Sequence, residues 1–144
     1  MLPFHNNCIS SKKPFELIHV DTGGLYHTKT HLGHRYFLTM VDDYTRSTWT
    51  HLMVTKDEVF YLTKSFVAIV QTQFKSTVQI IRSDNALELG LSNEALDFLA
   101  TTSIFHQTSC IQTQQQNEVV ERKHKHLIEV SRAMLFQSHL PLKF

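Results

Sequence analysis

The sequence predicts an α/β domain in which helices flank a mixed sheet of about five strands. Three observations predict it. Short runs of alternating, β-branched and aromatic residues recur in the first third of the chain. The hydrophobic period then switches to that of a helix, and from there helical and strand patterns alternate to the end. The order is three strands, helix, strand, helix, strand, helix, which gives a sheet partly antiparallel and partly parallel.

Each element has its own signature. Residues 1–14, with Pro3 and Pro14 and no periodicity, read as a tail or linker, so the folded domain is expected over 15–144. Residues 15–21 form a β-favouring run that Thr22-Gly23-Gly24 breaks. Residues 35–41 and 47–54 read as two strands of a hairpin joined through Asp42-Asp43-Tyr44-Thr45-Arg46. Thr55 and Glu58 have capping-box spacing, and Val59, Leu62, Phe66 and Ile69, with Val70 beside them, predict the buried stripe of a helix ending near Phe74. Residues 78–83 are an apolar strand that looks central and leads into Asp84. Ser92 or Asn93 can cap a short helix carrying Ala95, Leu96 and Leu99, and residues 104–106 make a last short strand. After a Gln-rich stretch at 112–116, read as a solvated loop, residues 117–137 form a long helix with Val120, Leu127, Val130 and Met134 expected to face inward. Trp49 and Phe105 are expected in the core.

Composition excludes several classes. At 144 residues and 42% hydrophobic, the chain is one domain's worth of foldable sequence, with no run long enough to span a membrane and no signal-peptide pattern at its start. A net charge of +1 excludes a strongly basic nucleic-acid binder recognisable by charge alone. Cys8 and Cys110 form no CxxC pair, so a reducing compartment is the default. The ten histidines include His31-x-x-His34 and His124-x-His126, but structural zinc needs four ligands and neither couple has a cysteine pair nearby.

Three acids stand at informative places. Asp21 ends the first strand, Asp84 ends the fourth and Glu121 lies early in the last helix. Taken singly, each has an ordinary role in a turn or helix cap. Together, at neighbouring strand ends under a helix, they could share a divalent ion. Mg²⁺ takes oxygen ligands, and paired ions stabilise attacking and leaving oxygens at phosphorus.

Around these acids the sequence resembles the integrase catalytic core of copia-type LTR retrotransposons, of the retroviral integrase superfamily. The likeness is carried by Pro14-Phe15-Glu16-Leu17-Ile18-His19-Val20-Asp21, Gly33-His34-Arg35-Tyr36-Phe37, Val41-Asp42-Asp43-Tyr44-Thr45-Arg46, Ile81-Arg82-Ser83-Asp84-Asn85, and Gln115-Gln116-Asn117 followed by Val119-Val120-Glu121-Arg122. The terminal Ser138-His139-Leu140-Pro141-Leu142-Lys143-Phe144 resembles it too. The resemblance implies a ribonuclease H-like fold and a DDE triad of Asp21, Asp84 and Glu121 holding Mg²⁺ or Mn²⁺. It also implies DNA partners (the element's cDNA ends and target DNA), a nuclear or element-particle location, and self-association. Lys125, one turn after Glu121, is expected to contact a phosphate; Arg122 and Lys123 are further phosphate candidates, and Asn85 and Glu88 candidates beside the second aspartate.

The sequence also departs from that family. Two glycines usual after Asp84-Asn85 are Ala86 and Leu87, a Pro-Tyr-Thr-Pro is Ile111-Gln112-Thr113-Gln114, and a glycine after Asn117 is Glu118. A glutamate at 118 is expected to cost backbone energy if that position needs φ > 0. A retained triad within an altered loop suggests a decaying copy, and the missing upstream His/Cys zinc region and downstream DNA-binding part suggest a fragment of a Pol polyprotein. Two other readings stand beside the transferase: a non-catalytic nucleic-acid-binding or self-associating remnant, and a hydrolytic nuclease.

Overall fold

A computed structural model of the chain describes residues 11–84, 92–108 and 118–139. Its elements are β1 (Leu17–Gly23), β2 (Tyr36–Asp42), β3 (Thr48–Met53), α1 (Glu58–Gln73), β4 (Ile80–Ser83), α2 (Asn93–Thr102), β5 (Phe105–Thr108) and α3 (Glu118–Gln137). They follow the expected order. The sheet runs β3-β2-β1-β4-β5, antiparallel from β1 to β3 and parallel from β1 through β4 to β5. β4, expected to be central, is an inner strand, and β1 takes the middle place.

Strand alternation divides the residues between two faces. Ile18, Val20, Leu38, Met40 and Ile81 meet Val59, Phe66, Val67 and Val70 of α1 in the main core. The predicted stripe on α1 is rotated. Val59, Thr63, Phe66, Val67 and Val70 are buried, while Ile69 lies 38% exposed. Positions 59, 63, 66, 67 and 70 span one arc of a 3.6-residue period, and 69 falls outside it. Glu58 Oε1 accepts from the Thr55 amide at 2.9 Å, the returning half of the expected capping box. Ser92 caps α2, its Oγ accepting from the Ala95 amide at 3.1 Å.

The other face carries Leu17, His19, Asp21 and Gly23, and α3 packs over β1 and β2 through Val120. Two expectations for this side are corrected. Val130 and Met134 are exposed, because a 20-residue helix runs about 30 Å and overhangs the two strands it covers. Phe105 is also exposed, on the edge strand beyond the reach of α3.

The hairpin turn is a fastening point. Asp42 accepts from the amide and hydroxyl of Thr45 and from the amide of Phe15. Phe15 sits at φ 64, uncommon for a bulky residue, and its buried ring packs on Trp49 and Phe74. Asp43 is 3% exposed and accepts from His19 Nε2 at 2.9 Å and from the amide and hydroxyl of Ser11 at 3.0 and 2.8 Å. Ser11, in the stretch read as linker, is thus tied to the sheet.

These two buried groups set a pH response. Burial pushes the Asp43 carboxyl up, but the hydrogen bonds from His19 and Ser11 outweigh it and bring its pKa to about 2. Burial lowers the His19 pKa below its ordinary 6.5, against the pull of Asp43. In both cases the unfolded chain takes up protons at a higher pH than the folded one. Stability is therefore expected to fall below about pH 6.5 as unfolded His19 protonates, and to fall further below 3.8 until Asp43 itself titrates near 2. Urea midpoints measured from pH 8 to 3 check this; a midpoint that rises between pH 7 and 5 would contradict it.

Candidate active site

Asp21 and Asp84 stand at the end of the sheet where the parallel strands stop, the place where open α/β sheets collect their sites. Val20 pairs with Ser83 across β1 and β4, so Asp21 and Asp84 are the next residues along two adjacent strands. Neighbouring strands lie about 4.8 Å apart, and alternation gives both aspartates the α3 face. The end of β4 is braced from β5. Ser83 Oγ and His106 Nε2 are 2.9 Å apart, and the Arg82 guanidinium donates twice to Gln107 Oε1 at 2.9 and 3.1 Å. Burial lowers the His106 pKa, which keeps that brace uncharged at neutral pH.

α3 supplies the opposite wall. Val120, fully buried, anchors its first turn, and Glu121 and Lys125 follow on the exposed side of that anchor. The result is a cleft of about 490 Å³ lined by Asp21, Gly23, Glu121, His124, Lys125 and Arg132, among others. A second cavity, about 10 Å³ and enclosed by Phe60, Phe98 and Leu99 among others, has room for one water at most.

His124 is closely packed on the floor of β1 and β2. It is 15% exposed, its ring centroid is 4.1 Å from that of Phe37, and its Nδ1 lies 3.4 Å from Asp21 Oδ2. Gly23 makes the approach possible, since a Cβ there would overlap the imidazole and stand 2.7 Å from the Phe37 ring. Burial lowers the His124 pKa, so the ring is neutral at neutral pH.

The expected site residues divide as follows. Asp21, Glu121 and Lys125 share the cleft. Asp84 stands beside Asp21 on the neighbouring strand but does not line that cleft. Among the described residues, no group of three or more His, Cys, Asp or Glu side chains could hold a metal ion as they stand. Arg122 pairs with Glu118 one turn earlier on an exposed stretch, and neither Arg122 nor Lys123 lines the cleft. Asn85 and Glu88, with Ala86 and Leu87, lie outside the described residues. Glu118 is the first residue of α3 and has no positive φ, so the expected backbone cost does not arise. His34, half of one suggested zinc couple, has Nδ1 2.9 Å from Thr30 Oγ1.

Sequence reasoning missed His124 and Arg132 as cleft residues. The signal was present: 121, 124, 125, 128 and 132 recur at the helical period, so a cleft containing Glu121 had to contain the others.

Comparison with known proteins shows the family. Residues 11–114 match the family model described as integrase core domain, a span that includes Asp21 and Asp84 and stops before Glu121. The chain is 32% identical over 129 residues (90% of its length) to the retrovirus-related Pol polyprotein from transposon TNT 1-94 of Nicotiana tabacum. It is 31% identical over 140 residues to that from transposon RE2 of Arabidopsis thaliana, and 27% over 138 to the transposon Ty1-DR4 Gag-Pol polyprotein of Saccharomyces cerevisiae. The chain spans about a tenth of the length of these relatives, 10%, 9% and 8% respectively. A chain of the simian T-cell lymphotropic virus intasome, solved with PP2A regulatory subunit B56 gamma, superposes with a TM-score of 0.68 over 90% of this chain and 44% of that one, at 18% identity. That likeness shows the ribonuclease H-like fold. The chain therefore belongs to the integrase core domain family and is related to the Pol polyproteins of copia- and Ty1-type LTR retrotransposons.

Proposed function

We propose that the chain is the catalytic core of a Mg²⁺- or Mn²⁺-dependent polynucleotidyl transferase that joins the 3′ ends of a retroelement's cDNA to target DNA. The observation that carries this reading is the shared cleft of Asp21 and Glu121, with Asp84 in register beside Asp21. Carboxylates are hard oxygen donors of the kind Mg²⁺ prefers, and a solvent-open cleft leaves positions for water and substrate phosphate oxygens. Asp21, Asp84 and Glu121 would hold the ion, which when bound offsets charge on the scissile phosphate and activates the attacking hydroxyl.

The chain's own groups have separate tasks. Asp21 is carried by the middle strand, which is hydrogen-bonded to a neighbour on each side. Glu121 approaches from α3 at a distance set by the burial of Val120. Lys125 is exposed on the cleft wall and suits a backbone phosphate next to the reacting one, with only a loose 3.9 Å pairing to Glu129 to release. Arg122, engaged with Glu118, is a weaker candidate for DNA than its charge suggests. To act on element cDNA the protein would have to be in the nucleus or in an element particle, with further copies of the chain to hold two DNA ends.

One observation favours the second reading, a DNA-binding or self-associating remnant: Asp84 does not line the cleft with the other two acids. Short duplexes bearing element-type ends, incubated with the chain and Mn²⁺ or Mg²⁺, separate the readings. Joined product is expected. Cleavage without joining would indicate a hydrolytic nuclease, and binding without either would leave the remnant reading.

A further inference from the structure

Around Asp21 two buried polar atoms have no hydrogen-bond partner, Thr39 Oγ1 and His124 Nδ1. Thr39 is the register partner of Asp21 on β2, and His124 reaches over from α3. A buried polar group left unmatched costs about 1–3 kcal/mol, so two of them beside one carboxylate call for an explanation. Packing alone does not supply it. The contacts of His124 with Gly23 and Phe37 are made by the face and edge of an aromatic ring, which a phenyl group would serve as well. What packing does not require is a nitrogen facing the Asp21 carboxylate.

We infer that His124 is a positioning residue for Asp21. Its Nδ1–H directs Asp21 Oδ2 and leaves the other carboxylate oxygen turned to the cleft. At 3.4 Å the two atoms are close but not aligned for a hydrogen bond, so the contact forms on rotation of the ring or the carboxylate. The arrangement has a wider consequence. Asp21 belongs to β1 and Glu121 to α3, and His124, one turn after Glu121, is the side chain that ties those two elements together at the cleft. One imidazole thus sets both the orientation of the first carboxylate and its separation from the other. The inference deepens the reading of Asp21 as a metal ligand and rests on it.

The test uses two substitutions with opposite properties. His124→Phe keeps an aromatic ring and removes the donor; His124→Asn keeps a donor and removes the ring. Mn²⁺ titration of the intact chain is expected to show roughly tenfold weaker binding for His124→Phe, the lower end of the usual loss when a partner of a metal ligand is removed. His124→Asn is expected to restore binding to within about threefold of the parent, while its thermal midpoint falls below that of His124→Phe. Affinities that instead follow the midpoints, or that match the parent in both variants, overturn the inference. A metal-free arm separates this failure from failure of the metal reading. Nitrogen-15 spectra of the histidine rings are expected to show a protected Nδ1–H on His124 that is lost in Asp21→Ala. If the parent binds no Mn²⁺ but this signal is present, the metal reading falls and the positioning contact stands. A His124 protonated on Nε2 alone sinks the contact itself.

Discussion

Asp21→Asn and Glu121→Gln are each expected to reduce DNA joining by about a thousandfold or more, with the thermal midpoint unchanged to within a few degrees. The two halves of this expectation come from different observations. The loss of activity follows from removing an anionic oxygen donor where charge must be balanced at phosphorus. The unchanged stability follows from shape and exposure: Asn at 21 keeps an oxygen that can accept from His124, and Glu121 lies on the open side of α3. Relieving repulsion between acids that share a cleft would even raise the midpoint slightly, since like charges at short range oppose one another. Asp84→Asn is expected to behave in the same way, because Asp84 is exposed just past the end of β4. Asp97→Asn, on the exposed side of α2, serves as a control and is expected to be silent. Joining assays run beside thermal melts check the set. Retained joining in Asp21→Asn or Glu121→Gln would remove that residue from the mechanism, and a lost midpoint would make it structural.

What the sequence disclosed and what it hid differ in range. The order of elements along the chain, the hairpin and the helix ends rest on local signals, and all appear in the structure within a few residues. Asp21 and Asp84 were legible as strand-end acids for the same reason. Local pattern failed where an element's surroundings decide burial. Ile69 has the right spacing from Phe66 but the wrong side of α1, and Met134 continues the stripe of Val120 past the last strand that could cover it. Side-chain pairs distant in sequence were beyond reach altogether. His19 and Asp43 lie 24 residues apart, and Asp21 and His124 more than 100, with nothing in either segment to announce its partner. The sequence pairs His124 only with its neighbour His126, whereas its structural neighbours are Gly23, Phe37 and Asp21. The Gly23-Gly24 pair, read as a strand breaker, proves in part to be clearance for that ring.

Asp43→Asn is expected to destabilise the fold by about 3 kcal/mol, out of a total of about 5–15 for a domain of this size, with no direct effect on the cleft. Among the described residues, one oxygen of the carboxylate accepts from the His19 ring and the other from both the amide and the hydroxyl of Ser11. An amide cannot replace it in either orientation. With its NH₂ toward Ser11, two donors face a third donor and the Ser11 amide, paired with Asp43 in the parent, goes unmatched. With its NH₂ toward His19, the Ser11 contacts survive, but Nε2 must become an acceptor and the ring proton moves to Nδ1. That atom is buried and without a partner. In the first orientation the Ser11 amide loses its match, in the second a buried N–H replaces a bare nitrogen at Nδ1 with nothing to accept from it, and in both the charge that strengthens these bonds is gone. The contact with Arg46, at 3.9 Å, weakens as well. Removing the carboxylate also removes its titration, so stability lost below pH 3.8 in the parent should be largely absent from the variant, while the fall below 6.5 that His19 causes should remain. Urea unfolding at pH 7 and pH 3 checks both parts. A midpoint at pH 7 equal to the parent's would mean that Ser11 and His19 do not depend on Asp43. A variant as acid-sensitive as the parent would place the low-pH transition on other carboxylates.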